Sequence, residues 1–154
     1  MDETIQGQIQ KEIDAVLKAY GNPKRVVRLQ MNEEAKNPNN AYCRSNNTGK
    51  GFKGMFMKAD YKQYKERWVA HAKEVMVGRT KCDSDILVIS QWTFGTLRKK
   101  DVQNCGKLEY DALNDIVYKD DSQIMREVKF KVYDKKNPTI ILDIYDLGDS
   151  KQWG

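Results

Sequence analysis

Hydrophobic positions recur along this chain with two periods, and the points where the period changes predict its elements. Ile5, Ile9, Ile13, Val16, Leu17 and Tyr20 are spaced by four and three, one face of an amphipathic helix. Gly21 tolerates a left-handed turn and Pro23 cannot continue a helix, so the helix should stop there. From Lys24 to Met31 the pattern alternates, with Val27, Leu29 and Met31 set against Arg28 and Gln30, which predicts a strand. Asn32 to Gly54 has no period and is rich in Asn, Gly and Lys. It reads as one long loop, a length that is uncommon in compact domains and often functional.

A second helical period runs from Ala59 to Val77, with Tyr61, Tyr64, Trp68, Ala72 and Val75 on its apolar side and Gly78 at its end. Such aromatics could stack on bases, but an apolar stripe at helical spacing is more often core. Ile86 to Phe94 reads as a strand. Asp101 to Asp115 reads as a third helix, capped by Asp101, with Val102, Cys105, Leu108, Ala112 and Leu113 turned inward. Val117 to Lys119 and Ile124 to Tyr133 read as extended, and a turn at Asp134 to Pro138 leads to a last strand, TIILDIYDL. The order helix, strand, helix, strand, helix, strand, strand predicts an α+β fold: a single small domain with a mixed β-sheet packed with helices. Residues 1–22 read as an appended N-terminal helix and 23–154 as the domain proper.

Composition narrows the function classes. With 154 residues, 40% of them hydrophobic, there is room for one ordinary core. No apolar run approaches the roughly 20 residues of a membrane-spanning helix. The opening MDETIQGQIQ is acidic and polar, unlike a secretory signal, so a cytoplasmic protein is expected, with no membrane partner. Cys43, Cys82 and Cys105 are too widely spaced for a zinc site and odd in number for a disulfide framework, so reduced thiols are expected. His71 is the only histidine, which argues against histidine-based catalysis and leaves carboxylates and lysines to carry any chemistry. A net charge of +5 favours a polyanionic partner. Arg98, Lys99 and Lys100 stand directly before Asp101, and Lys50 and Lys53 sit in the Gly-rich loop.

The informative stretch is KKDVQNCGKLEYDALNDIVYKDDSQI, residues 99–124. On a helix, Asp101, Asn104 and Lys107 would share one polar stripe. The same stretch ends in a second acidic pair, Asp120 and Asp121, at the start of a predicted strand. Two acidic clusters separated by a helix can converge where the chain returns beside that helix. Such a site suits phosphodiester hydrolysis, because hard oxygen ligands hold Mg²⁺ or Mn²⁺ beside a substrate phosphate. Arg98, Lys99 and Lys100 would then grip the DNA backbone. Taken alone, the same residues read equally as a helix cap, a turn and a solvated lysine.

This stretch resembles the RusA family of Holliday-junction resolvases, whose pattern is D-x-D-N-x-x-K, then D-A-L, then D-D-x-Q. Here it stands as Asp101, Gln103, Asn104 and Lys107, then Asp111-Ala112-Leu113, then Asp120, Asp121 and Gln123. Asn40, Tyr42 and Arg44 resemble the Asn-x-Tyr-x-Arg loop that follows the family's first strand. The resemblance implies a homodimeric, Mg²⁺- or Mn²⁺-dependent nuclease that cuts four-way DNA junctions. In it Asp101 and Asp121 would bind metal, Lys107 would be the catalytic lysine, and Asn40, Arg44 and Asn104 would contact DNA. Gln103 departs from the pattern. It replaces an aspartate with a neutral amide and leaves the site one negative charge short. Either Asp120 makes up the deficit, metal binding is weaker, or the chain is a non-catalytic or weakly active relative that binds branched DNA.

Overall fold

Residues 3–44, 55–96 and 102–148 are described by the computed structural model. The helices are α1 (Glu3–Ala19), α2 (Ala59–Val75) and α3 (Lys107–Ala112). The strands are β1 (Lys24–Met31), β2 (Tyr42–Arg44), β3 (Met55–Met57), β4 (Asp85–Phe94), β5 (Ile124–Tyr133) and β6 (Thr139–Gly148). Four of them form a mixed sheet in the order β1-β6-β4-β5, antiparallel except for the β4–β5 pair. This is the expected α+β fold with its additional N-terminal helix.

Alternation decides which side chain goes where. On β6, Ile140, Leu142 and Ile144 point into a core shared with α2 and α3, whereas Tyr145 and Leu147 point to the opposite side under α1. The central strand β4 is covered on both faces. Ile86, Val88, Trp92 and Phe94 enter the α2/α3 core, and Leu87 and Ile89 pack beneath Ile9 and Ile13 of α1. Burial on both sides explains the unbroken apolar run Ile86 to Ile89, and it also buries the polar Ser90, Gln91 and Thr93 further along the strand. Tyr64, Trp68 and Ala72 of α2 are fully buried, so the aromatic stripe is core. Cys82 and Cys105 are buried and form no disulfide. Among the described residues no helix is long and apolar enough to cross a membrane.

Three local expectations need correction. The stretch from Asp101 to Asp115 is not one helix: a 3-10 turn at Val102–Asn104 is followed, after Gly106, by the short α3. Gly106 sits at φ +109, and a Cβ there would come within 2.5 Å of the Tyr110 ring. Only glycine fits, and its left-handed backbone breaks the helix. Both arrangements turn Cys105, Leu108, Ala112 and Leu113 inward, so apolar spacing alone could not tell them apart.

The long loop also contains structure. A 3-10 turn at Pro38–Asn40 leads into β2, which pairs antiparallel with β3 through Tyr42↔Met57. The segment from Val117 to Lys119 is no strand. Tyr118 makes only isolated bridges to Cys82 and Asn114.

Candidate functional site

The parallel β4–β5 pair requires the chain to cross over between the two strands, because a tight turn joins only antiparallel neighbours. That crossover carries the polar stretch singled out by sequence, and it brings the start of α3 and the start of β5 together. Between them lies an open cleft of about 390 Å³ lined by Gln103, Lys107, Asp121, Glu127, Lys129 and Tyr110, among others. Gln103 and Lys107 therefore face the same space as Asp121, although no single helical stripe joins them.

Local hydrogen bonds explain how each part is placed. Asp121 opens a 3-10 turn, Asp121–Gln123, rather than the strand itself, and Asp120 caps that turn by accepting from Ser122 N–H at 3.1 Å. The Ser122 hydrogen bonds also lower the Asp120 pKa. Gln123 closes the turn and ties it to the segment just before β4 through four bonds. Its Oε1 accepts from the amides of Lys119 and Asp120 at 2.8 and 2.9 Å. Its Nε2 donates to the carbonyls of Cys82 and Ser84 at 3.1 and 2.7 Å. A residue that read only as part of a motif is thus the fastener that holds Asp121 at the cleft.

The other wall is held by two charged side chains that sequence reasoning passed over. Glu109 is 1% exposed. Its Oε1 accepts from Gly106 N–H at 3.1 Å and its Oε2 from the Tyr64 hydroxyl at 3.0 Å, which joins the Gly106 turn to α2. Burial raises its carboxyl to about 7, against the partial relief of those hydrogen bonds. Lys129 reaches from β5 and donates to the backbone carbonyls of Gln103 at 3.3 Å and Cys105 at 2.6 Å. It also pairs with Glu127 at 3.1 Å. The signal for Glu127 and Lys129 was available as the alternation of IMREVKFKVY, which puts them on one face of β5. What was missing was the knowledge that this face borders the acidic turn.

Tyr110 lines the same cleft and is 5% exposed, yet its hydroxyl makes no hydrogen bond. The nearby Ser90 Oγ accepts from Trp92 Nε1 at 2.8 Å. Burial first, and then the charge of Glu127, push the Tyr110 phenol well above its usual pKa, so it stays a neutral donor.

The remaining sequence candidates fall elsewhere. Asp120 does not line the cleft, and neither do Asn104 or the exposed Asn40 at the end of its 3-10 turn. Asp101, Arg98, Lys99, Lys100, Lys50 and Lys53 lie outside the described residues, as does the side chain of Arg44. Among the described residues no group of three or more His, Cys, Asp and Glu could hold a metal ion. The donors on the cleft, two carboxylates and an amide oxygen, are nonetheless hard oxygen ligands. That chemistry fits Mg²⁺ or Mn²⁺, which are commonly held by one or two carboxylates together with waters and substrate phosphate.

The signature of the family described as endodeoxyribonuclease RusA matches residues 33–145, nearly three quarters of the chain. The match spans the whole cleft and leaves α1 outside. No curated protein matches the chain.

Proposed function

This chain belongs to the RusA family of Holliday-junction-resolving endodeoxyribonucleases, and from that premise we propose that it hydrolyses phosphodiester bonds in four-way DNA with Mg²⁺ or Mn²⁺ at this cleft. The observation that carries the reading is the meeting of Gln103 and Lys107 with Asp121, from the other end of the crossover, on one polar cleft within the matched span. A bound cation would supply Lewis-acid stabilisation of the phosphoryl oxygens and lower the pKa of a coordinated water.

The chain's own groups have distinct tasks in this reading. Asp121 is a metal-binding carboxylate, joined by Asp101 on the strength of the motif. Lys107, exposed at the cleft, pairs its ammonium with the negative charge that builds on the phosphate. Arg98, Lys99 and Lys100 hold the DNA backbone, with Asn40, Arg44 and Asn104 as further contacts. Two symmetric cuts in a four-way junction call for two sites related by a two-fold axis, hence a homodimer acting on branched DNA in the cytoplasm.

The test is a gel assay on a synthetic four-way junction with and without Mn²⁺. Asp121→Asn and Asp101→Asn are each expected to abolish cleavage while leaving junction binding largely intact, because basic side chains supply most of the affinity. Near-normal cleavage by either variant at saturating Mn²⁺ would overturn the proposed site. A second reading is favoured by Gln103 itself, a neutral amide where the family pattern has a carboxylate. It makes the chain a non-catalytic or weakly active binder of branched DNA. Wild-type protein that binds the junction without cutting it at any Mn²⁺ concentration would establish that alternative.

A further inference from the structure

Gln103 puts a neutral amide on the cleft where the RusA pattern has a carboxylate, but β5 brings a carboxylate to the same space. Glu127 lines the cleft beside Gln103 and Asp121, with its side chain 34% exposed. It reaches that position through a local irregularity. Ile86 pairs with Ile124, but the next residue of β4, Leu87, pairs with Arg126, so Met125 is an extra residue. Beyond the bulge, the face of β5 that carries Glu127 and Lys129 turns to the α3 side, while Val128, Phe130 and Val132 go to the α1 side. Bulges of this kind re-aim side chains beside functional sites.

We propose that Glu127 supplies the carboxylate that Gln103 lacks, forming with Asp121 the cation-binding pair of this cleft, and that Lys129 is its positioning residue. This rests on the cation-dependent reading above and extends it to a residue outside the motif. Three observations support it. Lys129 is anchored by the carbonyls of Gln103 and Cys105, so the ammonium that pairs with Glu127 ties the carboxylate directly to the turn carrying the deficit. That pairing engages Oε2, and a carboxylate has a second oxygen with lone pairs of its own.

The third observation is independent of the acidic residues. Tyr110 lines the same cleft, and its hydroxyl is buried just behind that wall without a hydrogen bond. A buried donor left unsatisfied costs free energy that a ligand oxygen, such as a cation-bound water or a phosphate, would recover. Asp120, the other candidate to replace the lost charge, is committed to capping its own turn and does not line the cleft.

The experiment measures Mn²⁺ binding to the full chain without DNA, by titration calorimetry, for wild type, Asp121→Asn, Glu127→Gln and the double variant Glu127→Gln/Gln103→Asp. Glu127→Gln is expected to weaken Mn²⁺ binding by about tenfold or more, with Gln103→Asp restoring most of the loss in the double variant. Restoration at a melting temperature no higher than that of Glu127→Gln alone separates a site charge from a structural role, because a carboxylate at position 103 that merely re-paired Lys129 would restore stability as well. Wild-type Mn²⁺ affinity in Glu127→Gln, with Asp121→Asn weakened, overturns the role of Glu127 and leaves the cation reading standing. No Mn²⁺ uptake by wild type, or none lost in Asp121→Asn, overturns both.

Glu127→Asp guards against misfolding, since it keeps the charge while withdrawing the oxygens by one methylene. Weaker Mn²⁺ binding at unchanged melting temperature supports the proposal, and affinity equal to wild type counts against it.

Discussion

The two faces of the sheet are covered in unequal ways. On one side α2 and α3 bury a continuous core that includes Trp68, Trp92, Tyr64 and Tyr118, and the cleft opens at its rim. On the other, α1 alone lies across a smaller cluster: Ile9 and Ile13 against Leu87, Ile89, Val132, Tyr145 and Leu147. That second face also holds a buried charge. Asp143, 3% exposed, is gripped by Arg28 through two bonds of 2.7 and 2.8 Å. The family signature covers the helices of the first face but not the helix of the second. The contrast teaches that the cleft depends on the packing of α2 and α3, whereas α1 seals a sheet whose central strand cannot leave either face open to water.

The sharpest way to break this comparison is to damage each face and ask what fails. Trp92→Ala removes the indole of a fully buried residue in the larger core and should cost about 3–5 kcal/mol, read by chemical denaturation. A cost below about 1 kcal/mol would mean that the core on the cleft side is not the dominant one.

The next effect comes from Glu109, which sits between the core and the cleft. Its folded pKa, about 7, lies above the ordinary 4.5, so the folded state holds a proton that the unfolded chain has already released. The resulting stability is fully present below about pH 4.5 and is lost as pH rises through 7. The full span is worth about 3 kcal/mol. Glu109→Gln should flatten that dependence between pH 5 and pH 8, since an amide can still accept from Gly106 N–H and meet the Tyr64 hydroxyl. An unchanged pH profile of denaturation midpoints would show that Glu109 titrates normally.

The smallest expected effect is on the far face. Ile13→Ala should cost about 2 kcal/mol, the low end for a buried aliphatic, because one helix on a narrow cluster can settle into the gap. It should leave junction cleavage at fixed Mn²⁺ unchanged at a temperature where the variant remains folded. Loss of cleavage in parallel with Trp92→Ala would show that the two faces act as one unit.

Long, strongly periodic elements were legible without any structure. The span Lys24–Met31 and the start of β5 at Ile124 were predicted at their observed limits, because alternation with one buried face leaves a strand little choice of register. The helix breaks at Gly21 and Gly78 were legible too, since both glycines adopt positive φ, +75 in each case. The third helix was misread because apolar spacing is blind to backbone handedness. Only the contact between Gly106 and the Tyr110 ring shows that a glycine there is obligatory. The pairing of β2 with β3 was missed for a different reason: each contributes three residues, too few for a period to register.

The sequence by itself determined the fold class, the family and the motif residues Gln103, Lys107 and Asp121, because local periodicity and fixed spacing are written in the chain. What only the tertiary structure decided is which of its charges share a space. Glu127 and Lys129 carry no motif, and in the sequence they are two more charged positions in an alternating strand. They reach the cleft because a bulge at Met125 turns their face of β5 toward α3 and because β5 runs parallel beside β4. Strand order and bulge placement are set by the packing of the whole sheet, so no reading of neighbours along the chain could have supplied them.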